Sequence, residues 1–270
     1  MMRIGIMGAM PEEINGIRDD RRFTNFILFK TIGGKEYYRH SDPQTGHELY
    51  LVFSGWGKVA ASSVATTLIN EFKVETVIFT GVAGAVDESL KIGDVVLANN
   101  LVQHDMDCSP LGFIKRFEIP LMGKQLFETD DGYRKIAERA INETLVSHEF
   151  NALTDRLAFH RGAVGIGKPA LQIKIGGMAT GDQFIASKPL ALRLVKDVKD
   201  ATGAEIMCVD MESAAVGQVC FNYQIPLTVI RVMSDEANGH APLNFPAFTK
   251  ELAAPFNQLI IRFLLKLMMT

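Results

Sequence analysis

Residues 206–215 of this 270-residue chain read Ile-Met-Cys-Val-Asp-Met-Glu-Ser-Ala-Ala. The first four residues are uncharged and apolar, which is typical of a strand buried on both faces. An alanine-rich segment that predicts a helix follows without a break, and two acids, Asp210 and Glu212, lie at the junction. A buried strand that runs directly into a helix is the repeating unit of an α/β fold.

The same alternation extends outward in both directions. The predicted strands are short runs rich in Val and Ile: Arg3–Met7, Leu49–Phe53, Thr76–Thr80, Val95–Leu101, Arg161–Ile166, Ile206–Val209 and Leu227–Met233. The predicted helices lie between them: Pro11–Arg18, Lys58–Phe72, Asp131–Val146, Lys188–Ala201, Met211–Asn222 and Pro246–Met268. Strands and helices in this order predict a three-layer α/β/α sandwich.

The pattern predicts a single domain over residues 1–270, because no Pro/Gly/Ser linker, charge block or internal repeat divides the chain. Two loops are longer than the others. His104–Gln125 mixes prolines and glycines with charges, and Gly167–Gly181 is rich in glycine. Long loops in compact domains commonly serve as lids, binding loops or interface segments.

Composition excludes several classes of protein. With 47% hydrophobic and 22% charged residues the chain does not resemble a disordered or fibrous protein. The net charge of −3 and the absence of a Lys/Arg cluster with interleaved aromatics argue against a nucleic-acid partner. The apolar C-terminal segment is interrupted by Arg262 and Lys266, so a packed helix is favoured over a membrane anchor. Three cysteines without a CxxC pair predict reduced thiols and a cytoplasmic location.

Ligands of open α/β sheets bind beyond the carboxyl ends of the strands. The first strand ends in Gly-Ala-Met-Pro-Glu-Glu at residues 8–13. Pro11 and the two glutamates suit the first turn of a helix, where acids stabilise the positive end of the dipole. Glu13 therefore has two interpretations, a residue of the helix start and a carboxylate that faces a ligand, and spacing alone does not choose between them.

Residues 54–60, Ser-Gly-Trp-Gly-Lys-Val-Ala, resemble a dinucleotide-binding fingerprint in their position after a strand. That fingerprint requires an acid at the end of the next strand to hold a ribose. The next strand ends in Phe79-Thr80-Gly81, without an acid. This disfavours NAD, and tight backbone packing remains the simpler reason for these glycines.

Two further strand ends carry buried acids. Asp210 suits a helix cap, whereas Glu212 lies among small and apolar residues and needs a polar partner, such as a sugar diol. Arg231 lies inside an apolar strand that ends at Asp235. Pairing between these two is one interpretation, and a proton-donating carboxyl at Asp235 is the other.

Glu13, Glu212 and Asp235 thus lie at the carboxyl ends of strands in one predicted sheet. Two carboxyl groups on opposite sides of a glycosidic bond can break it, one by protonating the leaving group and the other by activating water. A serine or cysteine nucleophile is less consistent with the sequence, because no GxSxG or supportive cysteine motif is present. His104 with its acidic neighbours is a weak metal signal, and we predict no metal and no cofactor.

At these residues the sequence resembles the 5′-methylthioadenosine/S-adenosylhomocysteine nucleosidases of the purine nucleoside phosphorylase superfamily. The shared motifs occur in the order IGIMGAMPEE, SGWGKVAA, TGVAGAV with LKIGDVV, HDMD, TGDQFI, VDMESAA and RVMSD. The resemblance implies a nucleoside phosphorylase/hydrolase fold with a central mixed, partly barrel-like sheet. It also implies a homodimer.

The resemblance implies that Glu13 is the base that positions the attacking water. Arg231 and the turn formed by Gly81, Val82, Ala83 and Gly84 are implied to lie near that water. Val82 departs from the family, which often has a serine there.

The remaining roles implied by the resemblance concern the nucleoside. Glu212 and the preceding Met211 would bind the ribose hydroxyls. Asp235, supported by Ser234, would protonate the imidazole-ring nitrogen of adenine. The base and the 5′ side would be enclosed by Phe184, which stacks on adenine, by the backbone of Ile185, which reads its edge, and by Phe245.

The implied reaction is hydrolysis of the N-glycosidic bond of 5′-methylthioadenosine or S-adenosylhomocysteine, with 5′-deoxyadenosine and aminofutalosine as further candidates. Two alternatives stay open. A nucleoside phosphorylase would use phosphate in place of water, although a carboxylate at Glu13 repels phosphate. A non-catalytic nucleoside-binding protein is less favoured, because all three acids are present.

Overall fold

The computed structural model describes residues 1–20, 25–162, 170–237 and 248–269, and within these ranges ten strands join in one mixed sheet. They are β1 (Arg3–Gly8), β2 (Ile27–Ile32), β3 (Lys35–Ser41), β4 (Glu48–Phe53), β5 (Thr76–Ala85), β6 (Val95–Gln103), β7 (Phe127–Glu128), β8 (Ile173–Thr180), β9 (Ile206–Asp210) and β10 (Leu227–Asp235).

Helices lie between the strands and after the last strand. They are α1 (Pro11–Asp19), α2 (Lys58–Phe72), α3 (Asp131–Leu145), α4 (His148–Asn151), α5 (Thr154–His160), α6 (Lys188–Thr202), α7 (Ser213–Tyr223) and α8 (Ala254–Met268). A π-helical turn over Thr249–Ala253 leads directly into α8.

Five strands close on themselves within the sheet. β5 pairs with β10, β10 with β6, β6 with β8, β8 with β9, and β9 again with β5. Outside this ring, β1 lies between β5 and β4 with all three strands parallel, and β3 and β2 extend the sheet to an antiparallel edge. The closed ring is the barrel-like part that the resemblance implies, and the predicted fold class is confirmed.

Helices cover both faces of the sheet because both faces are apolar. α1, α3 and α8 pack against one face, where Ile14, Ile141 and Ile260 share a buried cluster with Ile6 of β1. α2 and α7 pack against each other in a second cluster that includes Phe79 of β5. Each fully buried aliphatic side chain contributes about 1.5–3 kcal/mol relative to exposure, so the two clusters supply much of the stability of the fold.

The prediction of a loop over the glycine-rich stretch Gly167–Gly181 is wrong for most of its described residues, because residues 173–180 form β8. A methyl group added to Gly177 would lie 2.7 Å from the carbonyl oxygen of Glu205, and one added to Gly176 would lie 2.3 Å from the side chain of Met207. The two glycines allow β8 to lie close to the chain at β9. Close approach, rather than a loop, explains the composition.

The strand predicted over Arg161–Ile166 is wrong where it begins. Arg161 and Gly162 form a turn after α5, and the Arg161 guanidinium donates to the carbonyl oxygen of Ile92 at 2.7 Å and to the carboxylate of Asp94 at 2.6 Å. Residues 163–166 lie outside the described residues. The predicted helix Pro246–Met268 is described from residue 248 onward, as the π-helical turn and α8.

The β2–β3 hairpin was not among the predicted strands. Its connection is Gly33-Gly34, both with positive φ, which is a favoured two-residue hairpin turn. β2 is exposed along almost its whole length and therefore lacks the alternation of a half-buried strand. The paired glycines were the signal that could have located it.

The predicted loop over His104–Gln125 holds a single 3₁₀ turn at Ser109–Leu111 and a bridge between Ile119 and Lys124. All three cysteines are free thiols. In the described part of the chain, no helix is both long and apolar enough to cross a membrane, and no group of three or more His, Cys, Asp and Glu side chains is placed to hold a metal.

Candidate active site

A cavity opens where β1, β5, β9 and β10 end, and it encloses about 600 Å³ of space that is partly open to solvent. Nearly all of the predicted site residues line it. The lining includes four acids, small residues of β5 and the segment before α6, and it consists of Ala9, Met10, Glu13, Trp56, Val82, Ala83, Gly84, Gln183, Phe184, Ile185, Val209, Asp210, Met211, Glu212, Ser234 and Asp235.

Glu13 combines both of its proposed interpretations. As the third residue of α1, it turns back so that Oε2 accepts hydrogen bonds from the backbone N–H groups of Ala9 (2.6 Å) and Met10 (2.9 Å). Its Oε1 accepts a third from Val82 of β5 at 3.0 Å. Burial raises the pKa of Glu13, against the opposing effects of the Arg231 charge and these hydrogen bonds. Such a carboxylate is a stronger base than a solvated one.

Gly81 gives Glu13 its space. A methyl group at this position would lie 2.4 Å from Oε1 of Glu13, well inside contact distance. We expect Gly81→Ala to displace the carboxylate and lower kcat/KM about 10²-fold, the scale of a misplacement of about 1 Å. The measurement is steady-state kinetics together with a thermal midpoint.

The control for this prediction is Gly132→Ala at the start of α3, where the nearest atom to the added methyl is an Asp130 side-chain oxygen 3.3 Å away. This variant should keep its activity. A Gly81→Ala protein as active as the wild type would show that Glu13 does not need its observed position.

Asp235 lies at the end of β10 with both carboxyl oxygens engaged. Oδ2 accepts from the hydroxyl of Ser234 (2.8 Å), and Oδ1 accepts from the backbone N–H of Ala237 (2.8 Å). Gly84 of β5 lies alongside, and a methyl group there would be 3.0 Å from Oδ1. Burial raises the pKa of Asp235 although these two hydrogen bonds oppose the shift. The group therefore stays protonated to higher pH than an ordinary aspartic acid.

Glu212 precedes α7 rather than lying within it. Its Oε1 accepts the backbone N–H of Gly57 at 2.9 Å, so the turn before α2 holds this carboxyl group across 155 residues of sequence. Burial, with the nearby charge of Asp210 as the second cause, raises the pKa of Glu212 to about 8. The side chain is 6% exposed and faces the cavity.

Asp210, not Asp235, is the partner of Arg231. Nε of Arg231 lies 3.1 Å from Oδ2 of Asp210, and Nη2 donates to the Ser213 hydroxyl at 2.9 Å. The guanidinium also lies 4.0 Å from the centre of the Phe79 ring. Asp210 also accepts the backbone N–H of Ser213, the first residue of α7, but the N-cap position itself is held by Glu212, two residues later than predicted.

Arg231 therefore differs from its predicted place. It is fully buried, and it is absent from the described lining of the cavity because β10 directs its side chain beneath Asp210. Its charge still acts on the cavity, since it lowers the pKa of Glu13 against the effect of burial. Arg231 is better described as a residue that organises the carboxylates than as one that touches a ligand.

The other walls are apolar. Phe184 is half exposed with its ring at the cavity, Ile185 is buried beside it, and Met211 lies on the Glu212 side. Phe245 lies outside the described residues. Trp56 lines the cavity but was not among the predicted site residues, although it is the single Trp of the chain and lies in a motif at a strand end.

Comparison with known proteins is consistent along the whole chain. Residues 3–265 match the sequence profile of the Phosphorylase superfamily. A 5′-methylthioadenosine/S-adenosylhomocysteine nucleosidase of Staphylococcus haemolyticus is 33% identical over 265 residues, which cover 98% of this chain and 100% of that protein.

Two solved structures from Helicobacter pylori share the fold. One is a 5′-methylthioadenosine/S-adenosylhomocysteine nucleosidase with butyl-thio-DADMe-Immucillin-A, and the other is a futalosine hydrolase in its native form. Each is 28% identical, superposes with a TM-score of 0.78, and covers 98% of this chain and 98% of its own.

Proposed function

Because the chain belongs to the phosphorylase superfamily and, within it, to the 5′-methylthioadenosine/S-adenosylhomocysteine nucleosidase family, we propose that it hydrolyses the N-glycosidic bond of 5′-substituted adenosines. The products are adenine and the free ribose derivative. One observation carries the proposal: Glu13 and Asp235, both with a pKa raised by burial, line the same cavity as Glu212.

Asp235 is the proposed general acid. As the bond between the purine and C1′ stretches, negative charge grows on the purine, and a protonated carboxyl group beside its imidazole ring neutralises that charge. Burial raises the pKa of Asp235, so its protonated form persists to higher pH than that of an ordinary aspartic acid, and Ser234 and Ala237 fix the direction of its carboxyl group. General acid help of this kind accelerates a reaction roughly 10²–10⁴-fold.

Glu13 is the proposed general base. Positive charge grows on the ribose as the purine leaves, and water attacks C1′ from the face opposite the base. Three backbone N–H groups of other residues donate to the carboxylate of Glu13 and fix its position. The raised pKa of Glu13 suits it to accept a proton from that water. The N–H of Val82 is one of these donors, so Val82 acts through its backbone and not through a hydroxyl.

Glu212 is the proposed ribose ligand, with Met211 beside it. With its pKa raised to about 8, this carboxyl group keeps its proton to higher pH than an ordinary glutamic acid, and the protonated form can donate to one sugar hydroxyl while accepting from another. Phe184 would stack on adenine, the Ile185 backbone would meet the edge of the base, and Phe245 would close over the 5′ side.

Water is favoured over phosphate as the nucleophile by two observations. The buried side chain of Glu13 lines the cavity, and its carboxylate would repel a phosphate dianion there, because like charges repel strongly in a poorly solvated site. The buried guanidinium whose charge acts on Glu13, that of Arg231, is engaged with Asp210 and Ser213. Phosphorolysis remains the alternative that experiment must exclude.

The deciding experiment is chromatographic detection of adenine from methylthioadenosine, S-adenosylhomocysteine, 5′-deoxyadenosine and aminofutalosine, with and without phosphate. We expect adenine from at least one of the four at a rate that phosphate does not change. A rate that requires phosphate would identify a phosphorylase. No release from any of the four, despite binding, would favour a nucleoside-binding protein.

We also propose a homodimer in a reducing cytoplasm. The segment 104–125 presents Leu111, Phe113 and Leu121 to solvent, and exposed apolar side chains grouped in one loop suit a contact between subunits. The free thiols of Cys108, Cys208 and Cys220 suit a reducing compartment.

A further inference from the structure

Lys58, Asp105 and Asp182 belong to three motifs singled out in the sequence, have no role in the proposed chemistry, and are brought together by the structure. Nζ of Lys58, the first residue of α2, lies 2.6 Å from Oδ1 of Asp105. The backbone N–H of Lys58 donates to Oδ1 of Asp182 at 2.8 Å. The backbone N–H of Asp182 donates in turn to Oδ2 of Asp105 at 3.0 Å. The three residues therefore form a closed circuit of contacts.

On one side, these contacts lead to Glu212, the proposed ribose ligand. Gly57, whose backbone N–H holds Glu212, immediately precedes Lys58. Gly57 has a φ of +91°, and a methyl group on it would lie 3.0 Å from Oδ1 of Asp182. The direction of the Gly57 N–H is thus determined by a turn that Asp182 and Lys58 hold in place.

On the other side, these contacts lead to the proposed base-binding wall. Asp182 immediately precedes Gln183, Phe184 and Ile185, all of which line the cavity. Its side chain and its backbone are both bonded, to Lys58 and to Asp105. The circuit therefore joins the segment that faces the base to the turn that holds Glu212.

The contacts among Lys58, Asp105 and Asp182 are shielded from solvent enough to fix the relative positions of the segments that they join. The side chains of Lys58 and Asp105 are each 18% exposed, unlike most ion pairs of this protein. Burial alone would raise the pKa of Asp105, but the hydrogen bonds from Lys58 and from the Asp182 backbone outweigh it and lower the pKa. Lys58 also lies 3.3 Å from the side chain of Gln103, which bonds Gln218 of α7.

We propose that Lys58, Asp105 and Asp182 form a positioning latch that sets the separation between Glu212 and the wall formed by Gln183, Phe184 and Ile185. This inference rests on the proposed function, because it assigns the two sides to the ribose and the base. None of the three residues touches reacting atoms. Without the latch, the ribose and base subsites are both present but misaligned with each other, and the transition state is bound more weakly.

The main test compares Lys58→Met with Lys30→Met. Lys30 pairs with Glu71 at the opposite end of α2, so the control also removes a lysine–carboxylate contact from this helix. We expect Lys58→Met to lower kcat/KM for methylthioadenosine about 10²-fold, with both kcat and KM affected. Lys30→Met should stay close to the wild type.

A second readout distinguishes positioning from general stability. We expect the wild type to prefer methylthioadenosine over its 2′-deoxy analogue, because Glu212 would bind the hydroxyls. In Lys58→Met that preference should shrink about tenfold, whereas a merely less stable protein would lose both activities equally. Lys58→Arg, which retains the charge, should restore most of the preference. Asp105→Asn added to Lys58→Met should cost little more, because both changes break the same circuit.

The outcomes are separable. An unchanged preference for the ribose form in folded Lys58→Met would overturn the latch while leaving the proposed function intact. Loss of cooperative unfolding in both Lys58→Met and Asp105→Asn would assign the contacts to stability and would also overturn it. If the wild type releases no adenine, the proposed function fails, and the latch is judged by the same preference measured as dissociation constants.

Discussion

Replacing Asp235 with asparagine will lower kcat about 10²–10⁴-fold while changing the binding of methylthioadenosine far less. Asparagine keeps the shape of the side chain, and its single carbonyl oxygen can accept the Ala237 N–H while its NH₂ group faces the Ser234 hydroxyl, which can rotate to accept from it. It has no carboxyl proton to give to the leaving purine. Because that proton is needed only as the bond breaks, the loss falls on the transition state and not on the bound substrate. Single-turnover kinetics and calorimetric binding measure the two effects separately.

The pH profile provides an independent check on Asp235. Burial raises its pKa, so the protonated, active form persists above the usual range of an aspartic acid and disappears as the pH rises through the raised value. The kcat/KM of the wild type should fall as the pH rises through the pKa of Asp235, and the residual activity of Asp235→Asn should not show this fall.

Glu236→Gln is the matched control for Asp235→Asn, since Glu236 is adjacent but half exposed and faces Lys91 at 3.8 Å. It should leave kcat unchanged and move the falling part of the pH profile only slightly to lower pH, because the charge of Glu236 is the smallest cause of the shifted pKa of Asp235. Turnover like that of the wild type in Asp235→Asn would remove the general acid from the mechanism.

Replacing Glu13 with glutamine will also lower kcat about 10²–10⁴-fold, because an amide does not take a proton from water. A structural cost accompanies this loss. Both carboxylate oxygens of Glu13 accept hydrogen bonds from backbone N–H groups. In glutamine an NH₂ group replaces one of these oxygens, and because it is a donor it cannot accept from the N–H groups that it faces. A buried hydrogen bond left unmade costs about 1–3 kcal/mol, so the thermal midpoint should fall as well.

Glu12→Gln controls for the loss of charge at the start of α1. Glu12 is the neighbouring residue of the same first helical turn, and it is exposed. This variant should retain both activity and stability. Retention of adenine binding by Glu13→Gln would show that the base subsite is intact, and retention of turnover as well would contradict the role of Glu13 as the base.

The acids of the site could be found from the sequence because their positions depend on local pattern. Each of Glu13, Glu212 and Asp235 follows a buried apolar strand, and the ends of such strands meet at one edge of the sheet. Local pattern could not decide between a helix cap and a ligand for Glu13. The structure shows that its carboxylate bonds both its own helix start and a distant strand.

The partner of Arg231 could not be found in the same way. Asp210 lies 21 residues away, on a different strand, and only the sheet register brings the two together. The glycines of residues 176–177 were ambiguous for a related reason. A glycine that opens a loop and a glycine that lets two strands approach look alike in sequence, and only the neighbouring strand distinguishes them.

The continuous course of β5 has a stereochemical consequence. The backbone N–H of Val82 holds Glu13, and Gly84, two residues along the same strand, lies against Asp235. Two residues of extended chain span about 7 Å. Paired carboxyl groups roughly 6.5–9.5 Å apart leave room for a water molecule between base and sugar and yield products of inverted configuration, whereas closer pairs form a covalent intermediate. The spacing along β5 thus favours the larger separation between the carboxyl groups of Glu13 and Asp235, and we expect the released sugar to carry its new hydroxyl on the face that adenine did not occupy.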